Sequence, residues 1–394
     1  MREPSDVRAP VVSVPVAMVA GEASGDLLAA LLLSGLKRHV AGLAAYGIGG
    51  PRMRDEGSSA DWPIDKLAVR GYVEVLRHYR EIASIRKTLK TRLLADPPRA
   101  FIGIDAPDFN LDLEIALREA WRERKIPVIQ FVGPSIWAWR AKRIAKIARA
   151  VDHMLVLFPF EEALYREAGI AATYVGHPLA DMIPMQPDRG AARDALGLRR
   201  DARVVALLPG SRLSEIHYIA SAFIAAARLL HAEEPDVHFI APMAGAAARA
   251  AFEAIVAGRG DLPLAVLDGQ SQAALAAADA VLVASGTATL ETALFKRPMV
   301  IAYKMAMLSA LMMRRMAYLP WVGLPNVLAR EFLVPELIQE AATPAALAAA
   351  LRIQLHDDAN RARLEARFSA MHESLRCDTA ERAATVVAAL IAAA

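Results

Sequence analysis

A short apolar run, a turn of small residues and a helical pattern follow one another repeatedly along this chain, and this repeat restricts the fold most strongly. Such runs are typical of strands buried on both faces of a parallel sheet, and the intervening helices return the chain to the same edge. The repeat therefore predicts an α/β protein. The clearest apolar runs occupy residues 11–20, 101–105, 127–132, 204–208 and 280–284.

The chain has 394 residues, which exceeds one typical domain and predicts two. A segment rich in Pro, Asp and Gly at residues 182–197 breaks the repeat and is the predicted linker. We expect an N-terminal domain at 1–183 and a C-terminal domain at 184–362. The helices at 363–394 are expected to pack on the N-terminal domain or on a partner subunit.

Composition restricts the function further. A net charge of +3 argues against nucleic-acid binding by the chain as a whole. The single cysteine, Cys377, excludes an internal disulfide and a cysteine-rich metal site, and it favours the cytoplasm. We find no convincing cluster of metal ligands and expect neither a metal nor a cofactor.

The sequence also lacks the pattern of a membrane-spanning protein. Residues 11–20 run directly into a glycine turn and a helical pattern, so we interpret them as the first strand rather than a signal peptide. No stretch of 18 uncharged apolar residues predicts a spanning helix. Mean hydropathy is nevertheless +0.28, which predicts some exposed apolar surface.

Two turns in the second half are typical of phosphate binding. Ser285, Gly286 and Thr287 follow one apolar run, and residues 209–212 follow another. The helix that begins after each turn presents unpaired backbone N–H groups to an anion, and two such turns predict a nucleotide. A glycine turn at 21–26 lacks the dinucleotide spacing, and no acid lies near residue 45, which argues against a dinucleotide.

Asp105 is the candidate general base. It ends a buried run, and the crevice beyond the carboxyl ends of parallel strands is where ligands bind in open α/β sheets. The alternative is that Asp105 caps the next helix, but Asp108 and Asn110 are better placed for capping. His177 follows another predicted strand, and we interpret it as a structural loop histidine.

Three stretches combine apolar residues with cations and favour an anionic lipid surface over nucleic acid. Residues 64–89 form a basic amphipathic pattern, for which a helix packed on the sheet with a solvated basic face is the equal alternative. Residues 305–321 are rich in Met, and core packing is the alternative there. The candidate contacts are Trp137, Trp139, Arg140, Lys142, Arg143, Met312, Met313, Arg314 and Arg315.

Five segments, taken together, resemble the lipid-A-disaccharide synthase family over nearly the whole chain. The resemblance implies the GT-B fold, in which two Rossmann-like domains face each other across a cleft. It also implies an N-terminal domain that faces the acceptor and the membrane, and a C-terminal domain that binds the UDP-sugar. The segments are Gly-Glu-Ala-Ser-Gly-Asp at 21–26, Gly-Ile-Asp-Ala-Pro-Asp-Phe-Asn at 103–110, Pro-Ser-Ile-Trp-Ala-Trp-Arg at 134–140, Leu-Pro-Gly-Ser-Arg at 208–212 and Ala-Ser-Gly-Thr-Ala-Thr-Leu-Glu at 284–291.

The implied activity is an inverting glycosyl transfer. It joins UDP-2,3-diacylglucosamine and 2,3-diacylglucosamine 1-phosphate into the β-1,6-linked lipid A disaccharide 1-phosphate and releases UDP. Asp105 would act as the base, and Glu22 would orient it or bind the acceptor. Ser24 and Asn326 would bind sugar or phosphate. The implied UDP ligands are Ser211, Arg212, Ser285, Gly286, Thr287, Thr289 and Glu291.

Because both implied substrates carry acyl chains, we expect peripheral binding to an anionic membrane surface, at the cytoplasmic face of the bacterial inner membrane. A homodimer remains open. A UDP-sugar 2-epimerase of the same fold and a noncatalytic module that binds nucleotide-sugar or lipid are the alternative functions.

Overall fold

The computed structural model describes residues 13–67, 72–139, 141–257, 262–316 and 318–394. The chain forms two compact units, and each is described by itself. Unit 1 runs to Asp181 and regains Leu375–Ala394, whereas unit 2 comprises Met182–Ser374. Of the predicted C-terminal segment 363–394, the residues before 375 therefore belong to unit 2 and the rest to unit 1.

Unit 1 is a seven-stranded parallel sheet with helices on both faces, and its strand order is β3-β2-β1-β4-β5-β6-β7. The strands are β1 Val14–Ala20, β2 Leu43–Gly49, β3 Ser59–Pro63, β4 Ala100–Ile104, β5 Val128–Phe131, β6 His153–Val156 and β7 Ala172–Tyr174. The helices are α1 Ala23–His39, α2 Pro51–Asp55, α3 Tyr72–Ala95, α4 Pro107–Ala120, α5 Ile144–Ala150, α6 Pro159–Glu167, α7 Pro178–Met182 and, at the C-terminus, α17 Thr379–Ala393.

Unit 2 repeats this design with the strand order β10-β9-β8-β11-β12-β13, again parallel. Its strands are β8 Arg203–Leu208, β9 Val237–Met243, β10 Leu264–Asp268, β11 Ala280–Ala284, β12 Met299–Tyr303 and β13 Glu336–Ile338. Its helices are α8 Arg189–Ala195, α9 Leu213–Glu233, α10 Ala246–Val256, α11 Ser271–Ala277, α12 Thr287–Leu294, α13 Met307–Met316, α14 Leu324–Ala329, α15 Pro344–His356 and α16 Asp358–Leu375. The predicted α/β class is confirmed.

The two faces of the unit 1 sheet bury alternate residues of the same strand, as the pleat requires. Val16 and Met18 of β1 pack in one core layer with α1 and α17, whereas Ala17 and Val19 pack in the other with α3 and α4. The helices α1 and α17 approach so closely that a Cβ atom at Gly35 would overlap α17. The C-terminal helix is therefore part of the unit 1 core.

The predicted helical stretch at 64–89 divides in the structure. A single turn of 3₁₀ helix covers Ile64–Lys66, and α3 begins at Tyr72; residues 68–71 lie outside the described residues. Further along α3, Ile85, Leu89 and Leu93 are buried on the sheet. This part of the stretch is therefore a packed helix, the alternative that the sequence left open.

Among the described residues, α9 has the length and composition that a membrane span needs. Half of its most apolar window is buried in unit 2. Ile216, Ile219 and Phe223 lie in the core against the sheet, as expected for a helix that covers one face of a parallel sheet. Its apolar character is explained by this packing.

Candidate active site

In each unit the candidate residues follow the two strands at which the strand order reverses. In unit 1 these are β1 and β4, which lead to Glu22 and Asp105. In unit 2 they are β8 and β11, which lead to Arg212 and Ser285. Ligands of open parallel sheets bind beyond the carboxyl ends of the strands at such a switch point. Both pairs of turns are thus at positions suited to ligand binding.

Asp105 has an unusual backbone. Asp105 and Ala106 both adopt left-handed conformations, with φ of 53° and 42°, immediately before α4. A non-glycine residue in this region costs about 1–2 kcal/mol, so the surrounding structure must hold both residues there. The Asp105 N–H donates to the carbonyl of Phe131 at 2.9 Å, and the Asp105 side chain is partly exposed.

The Asp105 carbonyl is held by two buried side chains. It accepts hydrogen bonds from Asn110 Nδ2 at 2.9 Å and from Gln130 Nε2 at 3.0 Å. The prediction that Asp108 and Asn110 cap α4 is wrong, because the N-cap is Ala106 and has no side-chain hydrogen bond. The amide of Asn110 serves the turn instead. Sequence reasoning also missed Gln130, which lies inside β5 and has no local signal.

The first glycine turn packs directly on Asp105 and Ala106. A Cβ atom at Gly21 would overlap the side chain of Ala106, and one at Gly25 would lie 3.7 Å from Asp105 Cβ. Glu22, the N-cap of α1, is partly exposed in this turn, and Ser24 is exposed. The structure therefore brings Glu22, Ser24 and Asp105 to one edge of the unit 1 sheet.

Asp26, in the same turn, has a structural role. It is 3% exposed, and its carboxylate accepts N–H hydrogen bonds from Gly50 at 2.9 Å, Arg52 at 3.0 Å and Met53 at 3.1 Å. These bonds satisfy the start of α2, which explains why an acid follows the second glycine of the motif. Asp26 is therefore not available to a ligand.

In unit 2, the start of α12 presents an open anion site. Gly286 has a φ of 148°, and no atom lies within 4 Å of where its Cβ would be. Within the described residues, nothing accepts from the N–H groups of Gly286, Thr287 and Ala288. Gly286 and Thr287 are exposed, so these donors and the positive end of the helix dipole can bind a phosphate.

The turn at Ser211 and Arg212 does not provide a second backbone site. The Glu215 carboxylate accepts the N–H groups of Ser211 at 3.1 Å and Arg212 at 3.2 Å, and it also accepts from Arg212 Nη1 at 3.0 Å. This corrects the interpretation of the turn as a cradle of free N–H groups. The turn presents to a ligand only the half-exposed Arg212 guanidinium and the exposed Ser211.

Tyr303, at the end of β12, is a neighbour that the sequence did not indicate. Burial raises the pKa of its phenol, the negative charge of Glu215 raises it further, and the positive charge of Arg212 lowers it. The phenol therefore lies close to both. Its position at a strand end is the signal that could have marked it.

Asn326 is buried, with no exposed surface. Its Nδ2 donates to the Val334 carbonyl at 2.9 Å and to Glu336 Oε1 at 2.8 Å, and its Oδ1 accepts from the Val334 N–H at 2.9 Å. These contacts use both amide hydrogens, which corrects the expectation that Asn326 contacts sugar or phosphate. It positions the turn that precedes it.

That turn is tied to the start of α12. The Ser285 hydroxyl donates to the Val322 carbonyl at 3.1 Å, and the Leu324 N–H donates to Thr289 Oγ1 at 3.2 Å. Thr289 is fully buried and donates to the Gly286 carbonyl at 2.7 Å. Ser285 and Thr289 therefore shape the candidate phosphate site from within, and the exposed contacts come from Gly286 and Thr287.

Glu291 lies one turn further along α12 and is partly buried. Burial raises the pKa of its carboxyl, and a hydrogen bond with the Gln272 side chain lowers it in part. A partly buried acceptor of this kind is suited to hydroxyl donors. Gln272 fixes its orientation and was not predicted.

The tryptophan and arginine cluster of unit 1 is less open than its sequence suggests. Trp137 donates its indole N–H to buried Glu161 at 3.1 Å and packs edge-on against Phe158 and Phe160. Trp139 is 37% exposed, and Lys142 is exposed. Arg140 lies outside the described residues. Trp137 is thus partly buried in an aromatic cluster, and its contact with lipid stays a prediction.

Acids from α4 neutralise the cations that follow. Arg143 pairs with Asp108, and Lys146 pairs with Asp112 at 2.6 Å. No acid interrupts these cations in the sequence, but the acids come from a helix that packs alongside them. Arg143 and Lys146 are therefore compensated by acids of α4.

By contrast, unit 2 exposes an apolar patch around α13. Its cations Arg314 and Arg315 are exposed, and Arg314 pairs with Glu340 at 2.7 Å. Core packing, the alternative for residues 305–321, does not apply to the exposed Met and Leu side chains of α13. The α13 patch comprises Met307 at 80% exposure, Leu311, Met312 at 53% and Met313 at 42%, and Tyr318 just beyond the helix is also exposed.

Neither unit shows a metal centre within the described ranges: no group of three or more His, Cys, Asp or Glu side chains there is arranged to hold an ion.

His177 is buried, and its ring stacks on Phe158 while Nδ1 accepts the Leu179 N–H at 3.2 Å. This environment is that of a structural histidine.

Comparison with known proteins places these features in a wider group. Residues 16–387 match the family described as lipid-A-disaccharide synthetase. A lipid-A-disaccharide synthase from Paraburkholderia phytofirmans is 56% identical over 377 residues, covering 95% of this chain and 96% of the relative. Another from Cupriavidus pinatubonensis is 55% identical over 377 residues, covering 95% and 93%.

Solved structures share the fold at low identity. The UDP-GlcNAc 2-epimerase from Neisseria meningitidis bound to UDP-GlcNAc has a TM-score of 0.61 at 12% identity, with coverage of 97% of this chain and 100% of that one. The glycotransferase of kitacinnamycin has a TM-score of 0.61 at 17% identity, with coverage of 96% and 99%. The two parallel α/β sheets match the GT-B architecture of such proteins.

Proposed function

The chain belongs to the lipid-A-disaccharide synthase family of glycosyltransferases, and from this premise we propose how its residues carry out the transfer. It joins UDP-2,3-diacylglucosamine and 2,3-diacylglucosamine 1-phosphate into the β-1,6-linked disaccharide 1-phosphate, and UDP leaves. The anomeric carbon is inverted. The observation that carries this proposal is the left-handed Asp105, which a buried amide pair holds at the switch point of unit 1.

Asp105 takes the proton of the acceptor 6-hydroxyl as that oxygen attacks the anomeric carbon. The bond from this carbon to the UDP oxygen breaks at the same time, and the electron pair leaves with UDP. General-base help of this kind is worth about 10²- to 10⁴-fold. Glu22 and Ser24, which share the edge of the sheet with Asp105, bind the acceptor hydroxyls.

The leaving diphosphate is held by unit 2. The N–H groups of Gly286, Thr287 and Ala288 stabilise its growing negative charge, and the Arg212 guanidinium adds a positive charge. Glu291 accepts hydrogen bonds from the ribose hydroxyls. The support for this assignment is that Gly286 and Thr287 are exposed and that the three N–H groups have no partner in the described part of the chain. The Arg212 guanidinium is half-exposed beside its partner Glu215.

The α13 patch contacts the membrane in this proposal. Each buried methylene of an acyl chain contributes about 0.8 kcal/mol to membrane binding, so substrates with several chains stay in the bilayer. The enzyme therefore works as a peripheral protein at the cytoplasmic face of the bacterial inner membrane. The exposed Met side chains beside Arg314 and Arg315 suit apolar tails and anionic headgroups.

An assay of UDP release from UDP-diacylglucosamine, with and without the acylated acceptor, tests the proposal. We expect release only with acceptor, and we expect Asp105→Asn to lower kcat by about 10²- to 10⁴-fold while UDP still binds. The matched control is Asp108→Asn, three residues away on the exposed side of α4, which should leave kcat unchanged. Release without acceptor, or full activity in Asp105→Asn, contradicts the mechanism.

A further inference from the structure

A fully buried carboxyl lies beneath the candidate base. Glu114 of α4 has no exposed surface, and neither of its oxygens has a hydrogen-bond partner among the described residues. Burial raises the pKa of this carboxyl well above its usual range. A buried carboxylate without a cation would cost several kcal/mol, so such a group keeps its proton instead.

The two amides that hold Asp105 have fixed orientations. Asn110 Nδ2 donates to the carbonyls of Asp105 at 2.9 Å and Val19 at 3.4 Å, and Gln130 Nε2 donates to those of Asp105 at 3.0 Å and Val132 at 2.9 Å. Rotating either amide would place its oxygen against two backbone carbonyl oxygens. Both amide oxygens must therefore point away from Asp105, and both are buried without a donor in the described structure.

These groups converge at Gly103 in β4. A Cβ atom there would overlap Glu114 Oε1 and Gln130 Oε1, and it would lie 3.1 Å from Asn110 Cγ. Because Gly103 has no side chain, it places no atom between these three polar side chains. Glu114 Oε1 and Gln130 Oε1 thus lie at the same interior position, and neither has a donor among the described residues; a proton on Glu114 supplies one.

We propose that Glu114 is a positioning residue for glycosyl transfer: its neutral carboxylic acid donates to Gln130 Oε1 and so fixes the amides that hold the Asp105 backbone. The inference rests on the proposed role of Asp105 as the base. Glu114 acts through Gln130 and touches no substrate. Its proton matters because an ionised Glu114 would repel the amide oxygens and loosen their hold on the left-handed turn.

Two substitutions separate the proton from the volume. Glu114→Gln keeps a neutral donor of the same shape, so we expect kcat within about 3-fold of the parent enzyme. Glu114→Leu fills the space without a donor, and we expect kcat to fall about 10- to 100-fold with both KM values unchanged, because the base is displaced while the binding groups remain. Asp112→Asn, on the exposed side of α4, is the matched control and should change neither kcat nor the KM values.

Infrared spectroscopy reads the proton directly. The difference spectrum between the parent enzyme and Glu114→Gln at pH 7 should contain the C=O stretch of a protonated carboxylic acid, and its absence overturns the proposal. Loss of activity in Glu114→Gln as large as in Glu114→Leu also overturns it, because an anion would then be required. An unchanged kcat in Glu114→Leu also overturns the proposal. If Glu114→Leu does not fold, Glu114→Gln and the spectrum still decide.

The infrared band does not depend on catalysis. If Asp105→Asn retains activity while the Glu114 band is present, the base assignment has failed and the neutral carboxyl stands. If Asp105→Asn is inactive while Glu114→Leu is fully active, the positioning role has failed by itself.

Discussion

Glu336 is the residue whose removal tests the unit 2 site most sharply. It begins β13, and its carboxylate accepts the N–H groups of Val322 and Gly323, both at 2.9 Å, and the amide of Asn326 at 2.8 Å. No sequence pattern pointed to it. Because Val322 in turn accepts the Ser285 hydroxyl, we expect Glu336→Ala to loosen the start of α12.

The magnitude follows from the oxygen that each bond uses. Val322 N–H bonds to Oε2, and the other two donors bond to Oε1. Glu336→Gln keeps an oxygen for the latter two and loses the first, at a cost of about 1 kcal/mol since Val322 is 39% exposed and its N–H can be hydrated. Glu336→Ala loses all three bonds, at a cost of about 3 kcal/mol.

Calorimetric titration with UDP, together with thermal unfolding, measures both effects. We expect the Kd for UDP to rise about 10-fold in Glu336→Ala, which is about 1.4 kcal/mol, and about 2-fold in Glu336→Gln. Glu331→Ala is the matched control, because Glu331 is an exposed carboxylate that pairs with Arg367. A Glu336→Ala protein that melts at a lower temperature but binds UDP with the parent Kd refutes the reasoning.

Two further predictions concern pH and membranes. Burial lowers the pKa of His177 from 6.5 to about 4, so between those pH values the unfolded state binds the extra proton. We therefore expect the free energy of urea unfolding of the parent protein, measured relative to that of His177→Gln, to fall by about 3 kcal/mol between pH 6.5 and pH 4. If the two proteins differ by the same amount at both pH values, His177 is not a buried neutral histidine. Met312→Asp with Met313→Asp should reduce cosedimentation with anionic vesicles at least about 10-fold, whereas Leu229→Asp, equally exposed on α9, should not. Equal loss in both would rule out α13 as the contact.

The sequence was most informative where a local pattern determines the structure. The apolar runs predicted the buried strands, and the small-residue turns predicted which strand ends carry the candidate site. The family resemblance inferred from five segments is confirmed. The sequence predicts Asp105 and Gly286 as site residues because a turn after a buried strand lies at the carboxyl edge of a parallel sheet.

What the sequence could not indicate was which side chains already have partners. Glu215 takes the N–H groups of the Ser211 turn, and Asp108 and Asp112 of α4 pair with cations more than 30 residues further along. Such contacts depend on how helices pack across a sheet, and a sequence window does not contain them. The resemblance marks Asn326 as a site residue, but its partner Glu336 lies on the next strand, outside any local window.

The groups at the two switch points differ in charge, and the proposed chemistry requires this difference. A departing diphosphate is stabilised by positive potential, which exposed N–H groups and Arg212 supply in unit 2. A carboxylate base must stay ionised at neutral pH, and a second charge beside it would shift its pKa in either direction. The side chains that hold Asp105 are two amides and, in our proposal, a neutral carboxylic acid. They fix the geometry of the base without changing its charge environment, which is why a buried Glu without a cation is compatible with this site.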